Sequence, residues 1–201
     1  MSPSSSSEAS ALDLQLLTLI DVFRRTPSAL TATGHPSRRA LRLANAQVVG
    51  EEATVPETWT AGGRLPLLYH VSRALGLLRS DGDHLRVDGE RASEYFLSAP
   101  PDRVRQRVRA FRRADTWTLL SGLEGFAVDL GPRGRAQGAP DLQCAVRARG
   151  YVLDAVARLS VGRSTRVDAL GADVRALWPT LLFPVETGPY YPGVTRRTGL
   201  P

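Results

Sequence analysis

Lysine is absent from this chain: all 26 basic residues are arginine. That excludes a phosphate-binding loop of the GxxxxGK[ST] kind, and no such motif occurs. Cysteine is nearly absent. Cys144 stands alone, so no disulfide can form within the chain and a reducing compartment is expected. Its amphipathic surroundings read as a core position. Histidine is scarce and scattered: His35, His70 and His84 lack metal-ligand spacing. The longest apolar runs, such as residues 16–20, are far too short to span a bilayer, so no membrane partner is expected. Ser121 and Ser164 lack a Gly-x-Ser-x-Gly context. Asp81, Asp83, Asp88 and Glu90 crowd a turn, not a cleft. The expectation is a chain that is not an enzyme and takes neither metal nor cofactor.

What is present is an ordinary globular composition with a basic bias. The 201 residues are 42% hydrophobic, enough for one domain or two small ones. Net charge is +6 and the isoelectric point near 10.4, which favours acidic partners. Arginine grips phosphate bidentately and stacks on bases, so its exclusive use is evidence for nucleic acid, although biased genome composition produces the same signal.

Along the chain, residues 1–10 (MSPSSSSEAS) carry neither basic residues nor a signal-type hydrophobic stretch, and read as a disordered tail. A helix is expected to start near Ser10, with Asp13 three residues on. Leu12, Leu16, Leu19 and Phe23 form its stripe, Leu17 and Ile20 widen it, and Thr26-Pro27 stops it. A turn at Gly34 and a cap at Ser37 introduce a second helix. Leu41, Ala44 and Val48 face inward there, and Arg38, Arg39 and Arg42 outward. A polar loop covers 50–63. Leu68, Val71, Leu75 and Leu78 make a third helix over 65–78, with Gly76 near its end. SDGD at 80–83 signals a hairpin, and 84–87 alternate like a strand. Three helices followed by a tight hairpin is the order of a winged helix-turn-helix.

A helix over 101–115 follows, with Pro101 and Asp102 in its first turn. Val104, Val108 and Phe111 form a narrow apolar seam. Arg103, Arg105, Arg107, Arg109, Arg112 and Arg113 fill the rest, with no acid between 103 and 113. Such like charges repel modestly, and an anion along the helix would relieve them. The bland alternative pairs them with acids elsewhere, such as Glu51 and Glu52. Residues 130–140 are rich in Gly and Pro. Two further amphipathic helices come next. The first offers Val146, Val152, Leu153, Val156 and Leu159 inward and is interrupted by Gly150. The second, capped by Ser164, carries Val167, Leu170, Val174 and Leu177.

The run from 65 to 98, centred on ALGLLRSDGDHLRV, resembles the helicase-associated winged-helix region that precedes the motor in bacterial XPB-like helicases. SALTATGHPSRRAL is similar to that region's entry, and RGYVLDAVARLSVGRSTRVDALGADVRALWPTLLFP to its second repeat. The resemblance covers roughly residues 11–185 and rests on hydrophobics and turns. It implies a mainly α fold of tandem winged helix-turn-helix modules with small β-hairpin wings, engaging duplex DNA or docking beside a DNA-acting machine. The motor motifs are missing, and ETGPYYPGVTRRTG stands where the second module should continue. The organisation expected is a tail (1–10), a first module (11–98), an Arg-rich helix and connector (99–129), a linker (130–140), a second, incomplete module (141–185) and an irregular tail (186–201).

The expected function is non-catalytic DNA binding, in regulation, repair or genome defence, in the cytoplasm and at the nucleoid. Arg103 to Arg113 supply affinity through phosphates. Tyr69, His70, Ser72 and Arg73, off the third helix's stripe, face the major groove, and Arg38, Arg39 and Arg42 set register. Arg86 and His84 lie on the wing, where Asp81 and Asp83 oppose close phosphate approach. Pro132-Arg133-Gly134-Arg135 resembles the core of an AT-hook but departs from it at Ala136. A plain linker is favoured there, with Arg133 and Arg135 adding unspecific phosphate contact. The alternatives are a protein-interaction module, whose partner is another protein or a second copy in a homodimer, and an accessory region of a larger helicase-like enzyme.

Overall fold

A computed structural model of the chain describes residues 5–32, 34–56, 58–59, 63–114, 126–128, 140–160, 165–178 and 194–196. Helix α1 spans Ser5–Arg25, longer than expected by a turn, because residues 5–9 are absorbed into it. It ends at Thr26-Pro27, where proline cannot continue the pattern. Strand β1 (Ser28–Ala29) leads through a turn at Gly34, whose φ of 75° suits glycine, into α2 (Arg38–Val48). Ser37 caps α2 by accepting from the Ala40 amide, as its position before an amphipathic run requires.

Helix α3 covers Arg64–Ala74 and stops four residues short of Leu78. Gly76, at φ 78°, terminates it: its amide donates to the Arg73 carbonyl at 3.0 Å, and that of Leu77 to Ser72 at 2.9 Å. This paired closure is a Schellman motif. Leu78 therefore opens strand β2 (Leu78–Asp81) instead of closing the helix, and β3 (His84–Val87) returns antiparallel to it. Gly82 has a positive φ and Asp83 does not, the arrangement of a type II′ turn. Strand β1 adds to the other edge of β3, giving the order β1–β3–β2.

Helices α4 (Gly89–Leu97) and α5 (Pro100–Arg113) follow. Asp88 caps α4 by accepting from the Arg91 amide, a signal in the sequence that the expected organisation did not use. Helix α5 carries Pro100 and Pro101 in its first turn, where missing amides cost nothing, and Asp102 where the dipole favours a negative charge.

The core lies between α1, α2, α3 and the three-stranded sheet. Leu16, Leu19, Phe23, Leu41, Leu65, Leu68, Leu77, Leu78 and Leu85 are almost wholly buried there, with Tyr95 of α4 closing one end. Of the two residues expected to widen the stripe, Ile20 is buried and Leu17 is exposed.

The C-terminal part is held to α5. Strand β4 (Phe126–Val128) pairs antiparallel with β5 (Val194–Arg196), and between them in sequence lie α6 (Pro140–Ala157) and α7 (Val167–Leu177). Gly150 does not interrupt α6. It lies against the Arg112 guanidinium, 3.5 Å from where a Cβ would sit. The buried face of α6 is Ala148, Arg149, Gly150 and Ala155, and the expected Val152 and Val156 are exposed. Small residues and one arginine fit the close approach to α5 better than branched side chains. In α7, Val174 is buried, whereas Val167 and Leu177 are exposed. Ser164 lies outside the described residues, and Arg166 occupies the cap without a side-chain bond. Tyr151 stacks on Trp178 at 4.7 Å, joining the two helices.

Candidate nucleic-acid interface

The arginines fall into three environments. On the first two turns of α2, Arg38, Arg39 and Arg42 are exposed, opposite the buried Leu41, Ala44 and Val48. None of the three pairs with a carboxylate among the described residues. The amphipathic register of α2 forces this: with the apolar stripe inward, they have nowhere else to go.

Helix α5 divides its six arginines. Arg109, Arg112 and Arg113 are exposed and carry no ion pair among the described residues. Arg105 is exposed and pairs with Asp102 at 2.8 Å, a contact screened by water. Arg103 and Arg107 turn inward, contrary to their expected place on an open basic ridge. Both reach Asp13 of α1: Arg103 through Nε at 2.8 Å, and Arg107 through Nη1. Tyr95 donates its hydroxyl to the same carboxylate at 3.1 Å and accepts from Arg107 at 3.1 Å. Arg103 also donates to the carbonyls of Phe96 and Ser98. Burial lowers the pKa of Arg107 and pushes the Tyr95 phenol up to about 12. These two arginines tie α1, α4 and α5 together and are not free to meet phosphate. Glu51 and Glu52 make no ion pair with α5 among the described residues; Asp13 takes their expected place.

Helix α3 departs most from expectation. Tyr69, His70 and Ser72 are buried, so none of them faces a groove. Trp59 covers Tyr69 and His70, while Ser72 falls on the same helix face as the buried Leu65 and Leu68. The Trp59 ring packs 4.5 Å from that of Tyr69 and 5.8 Å from Phe23, and its indole NH donates to the Pro36 carbonyl at 2.9 Å. His70 Nε2–H donates to the Trp59 carbonyl at 2.9 Å, and His35 sits edge-on to both Tyr69 and His70. Burial pushes the His70 pKa down to about 3, with His35, Arg73 and Arg149 adding repulsion. Burial, then Arg73, lowers that of His35. Arg73 is half-buried and donates to Tyr69 Oη at 3.3 Å and Ser80 Oγ at 3.1 Å, so it ties α3 to the hairpin. Arg64, at the start of α3, is exposed and donates to Gln15 Oε1 at 2.8 Å.

The hairpin tip is nearly self-neutralised. Arg86 pairs with Asp81 at 2.9 Å and Arg79 lies 3.8 Å from Asp88; His84 is exposed. Arg133 and Arg135 lie outside the described residues. Arg149, which sequence reasoning passed over, is buried: its guanidinium lies 5.5 Å over the Phe111 ring and donates to the Ala114 carbonyl. No group of His, Cys, Asp and Glu able to hold a metal occurs among the described residues, and no described helix is long and apolar enough to cross a membrane. Compared with protein-family models, curated proteins and solved structures, the chain matches none.

Proposed function

We propose that this chain is a non-catalytic protein that holds duplex DNA by its phosphates, through arginines on a winged helix-turn-helix and on the helix behind it. The observation that carries this is the set Arg38, Arg39, Arg42, Arg109, Arg112 and Arg113: exposed, and without a carboxylate partner among the described residues. Such guanidiniums release condensed counterions from DNA at little desolvation cost. The order α1–β1–α2–α3–β2–β3, with β3 central, supports the winged-helix part and accords with the resemblance to the helicase-associated region. Helices α6 and α7 stand as the core of a second, incomplete module in this proposal. With Tyr69, His70 and Ser72 buried, phosphate contacts position the protein and base edges go unread by α3.

Fluorescence anisotropy with two duplexes of unrelated sequence tests this. The two should bind alike, with affinity falling about a thousandfold between roughly 50 and 200 mM salt if all six arginines engage. Absence of binding in dilute buffer, or strong preference for one duplex, contradicts it. A second reading, a module that docks a partner protein, is favoured by the covered outer side of α3 together with an apolar groove beside it.

A further inference from the structure

The seam of α5 is not closed by the fold. Val104 and Val108 remain 39% and 43% exposed. They face, with Phe111, a trough whose other walls are Leu12 and Leu16 of α1 and Leu67, Leu68 and Val71 of α3. Its volume is about 300 Å³, and Arg107 is its one polar lining residue among the described residues. Phosphate binding has no use for such a surface. Exposed valines beside buried leucines cost hydration free energy unless something covers them.

The charge beside the trough narrows what that is. At 100° per residue, Arg105 and Arg112 stand on α5 immediately to the solvent side of Val104, Val108 and Phe111, with Arg109 one step further. Arg64 occupies the same stripe of α3 as Leu67, Leu68 and Val71. Asp102 offsets Arg105 alone, and Asp13 is taken up by Arg103 and Arg107. The result is an open apolar channel with guanidinium lips.

We propose that this trough docks an acidic amphipathic helix of a partner protein, aliphatic anchors seated between α1 and α5 and flanking carboxylates meeting Arg64, Arg109 and Arg112. Aliphatic residues at i, i+4 and i+7 match the stagger of Val104, Val108 and Phe111. The inference rests on the protein-docking reading; Arg109 and Arg112 would serve the peptide here and phosphate in the first reading.

The probe is a synthetic peptide of about 15–18 residues, long enough to be helical, with leucine at i, i+4 and i+7 and glutamate at the flanking positions. A second peptide replaces every glutamate by lysine. Anisotropy should show the glutamate peptide binding, and the lysine peptide binding at least about tenfold more weakly. Val108→Glu, at a half-exposed position, should keep the melting temperature of the wild type yet lose the peptide by a similar factor. Equal binding of the two peptides, no binding of the glutamate peptide, or undiminished binding by Val108→Glu overturns the proposal. Sedimentation without peptide completes the test: a dimer that Val108→Glu dissociates assigns the trough to a second copy, and overturns it as well.

Discussion

Arg103 Nε donates to Asp13 Oδ2 at 2.8 Å across 90 residues of sequence, and Arg107 meets the other oxygen of the same carboxylate. One acid thus holds two guanidiniums, with Arg107 and Asp13 largely shielded from water. Asp13→Asn should leave two inward cations without a counter-charge and cost about 3 kcal/mol, as breaking a buried pair does. Arg105→Ala, at the exposed Asp102 pair, should cost less than about 0.5 kcal/mol. Urea unfolding of the two variants checks the contrast. Equal losses would contradict the anchoring role given to Asp13.

His70 makes stability depend on pH. Its folded pKa of about 3 lies below the ordinary 6.5, so between these values the unfolded chain holds a proton that the folded chain rejects. The contribution is fully present above pH 6.5 and is lost as pH falls towards 3, at up to about 1.4 kcal/mol per pH unit. His35, lowered in the same direction, adds to the effect. His70→Gln retains a donor for the Trp59 carbonyl and removes the titration. Its unfolding midpoint should change less than that of the wild type between neutral pH and about pH 5. Identical profiles would place His70 in a wetter site than the one described.

Gly76 and Gly150 should respond in opposite ways. At φ 78°, Gly76→Ala forces a left-handed backbone on an L-residue and should cost about 1 kcal/mol, although a Cβ there meets only ordinary contacts. Gly150→Ala lies mid-helix, with its nearest neighbours the flexible end of Arg112, so it should be neutral or stabilising by up to about 1 kcal/mol. Thermal melts of both separate backbone strain from helix propensity.

Local chemistry was readable wherever it decided the structure. Thr26-Pro27, the Ser37 cap, SDGD before an alternating run, and Pro101 with Asp102 each act within a few residues, and each appears where expected. The outward arginines of α2 followed from its single apolar stripe. Helix α3 misled because both its sides are covered, one by a polar loop whose Trp59 folds back over Tyr69. No periodicity within α3 announces a lid from outside it. Arg103 and Arg107 misled for a related reason: their partner is Asp13, far away in sequence. The inward face of α6 was missed because Ala148, Gly150 and Ala155 permit close approach, a property that counting valines and leucines does not register.

The phosphate reading rests most directly on the slope of log affinity against log salt, compared between the wild type and two triple variants. Arg38, Arg39 and Arg42 to Gln removes the α2 group, and Arg109, Arg112 and Arg113 to Gln removes the exposed group of α5. Each variant should bind duplex DNA more weakly and flatten the slope by about 0.9 for every phosphate that is no longer neutralised. Slopes and affinities unchanged in both variants, with the fold intact by melting, would contradict DNA binding through these arginines.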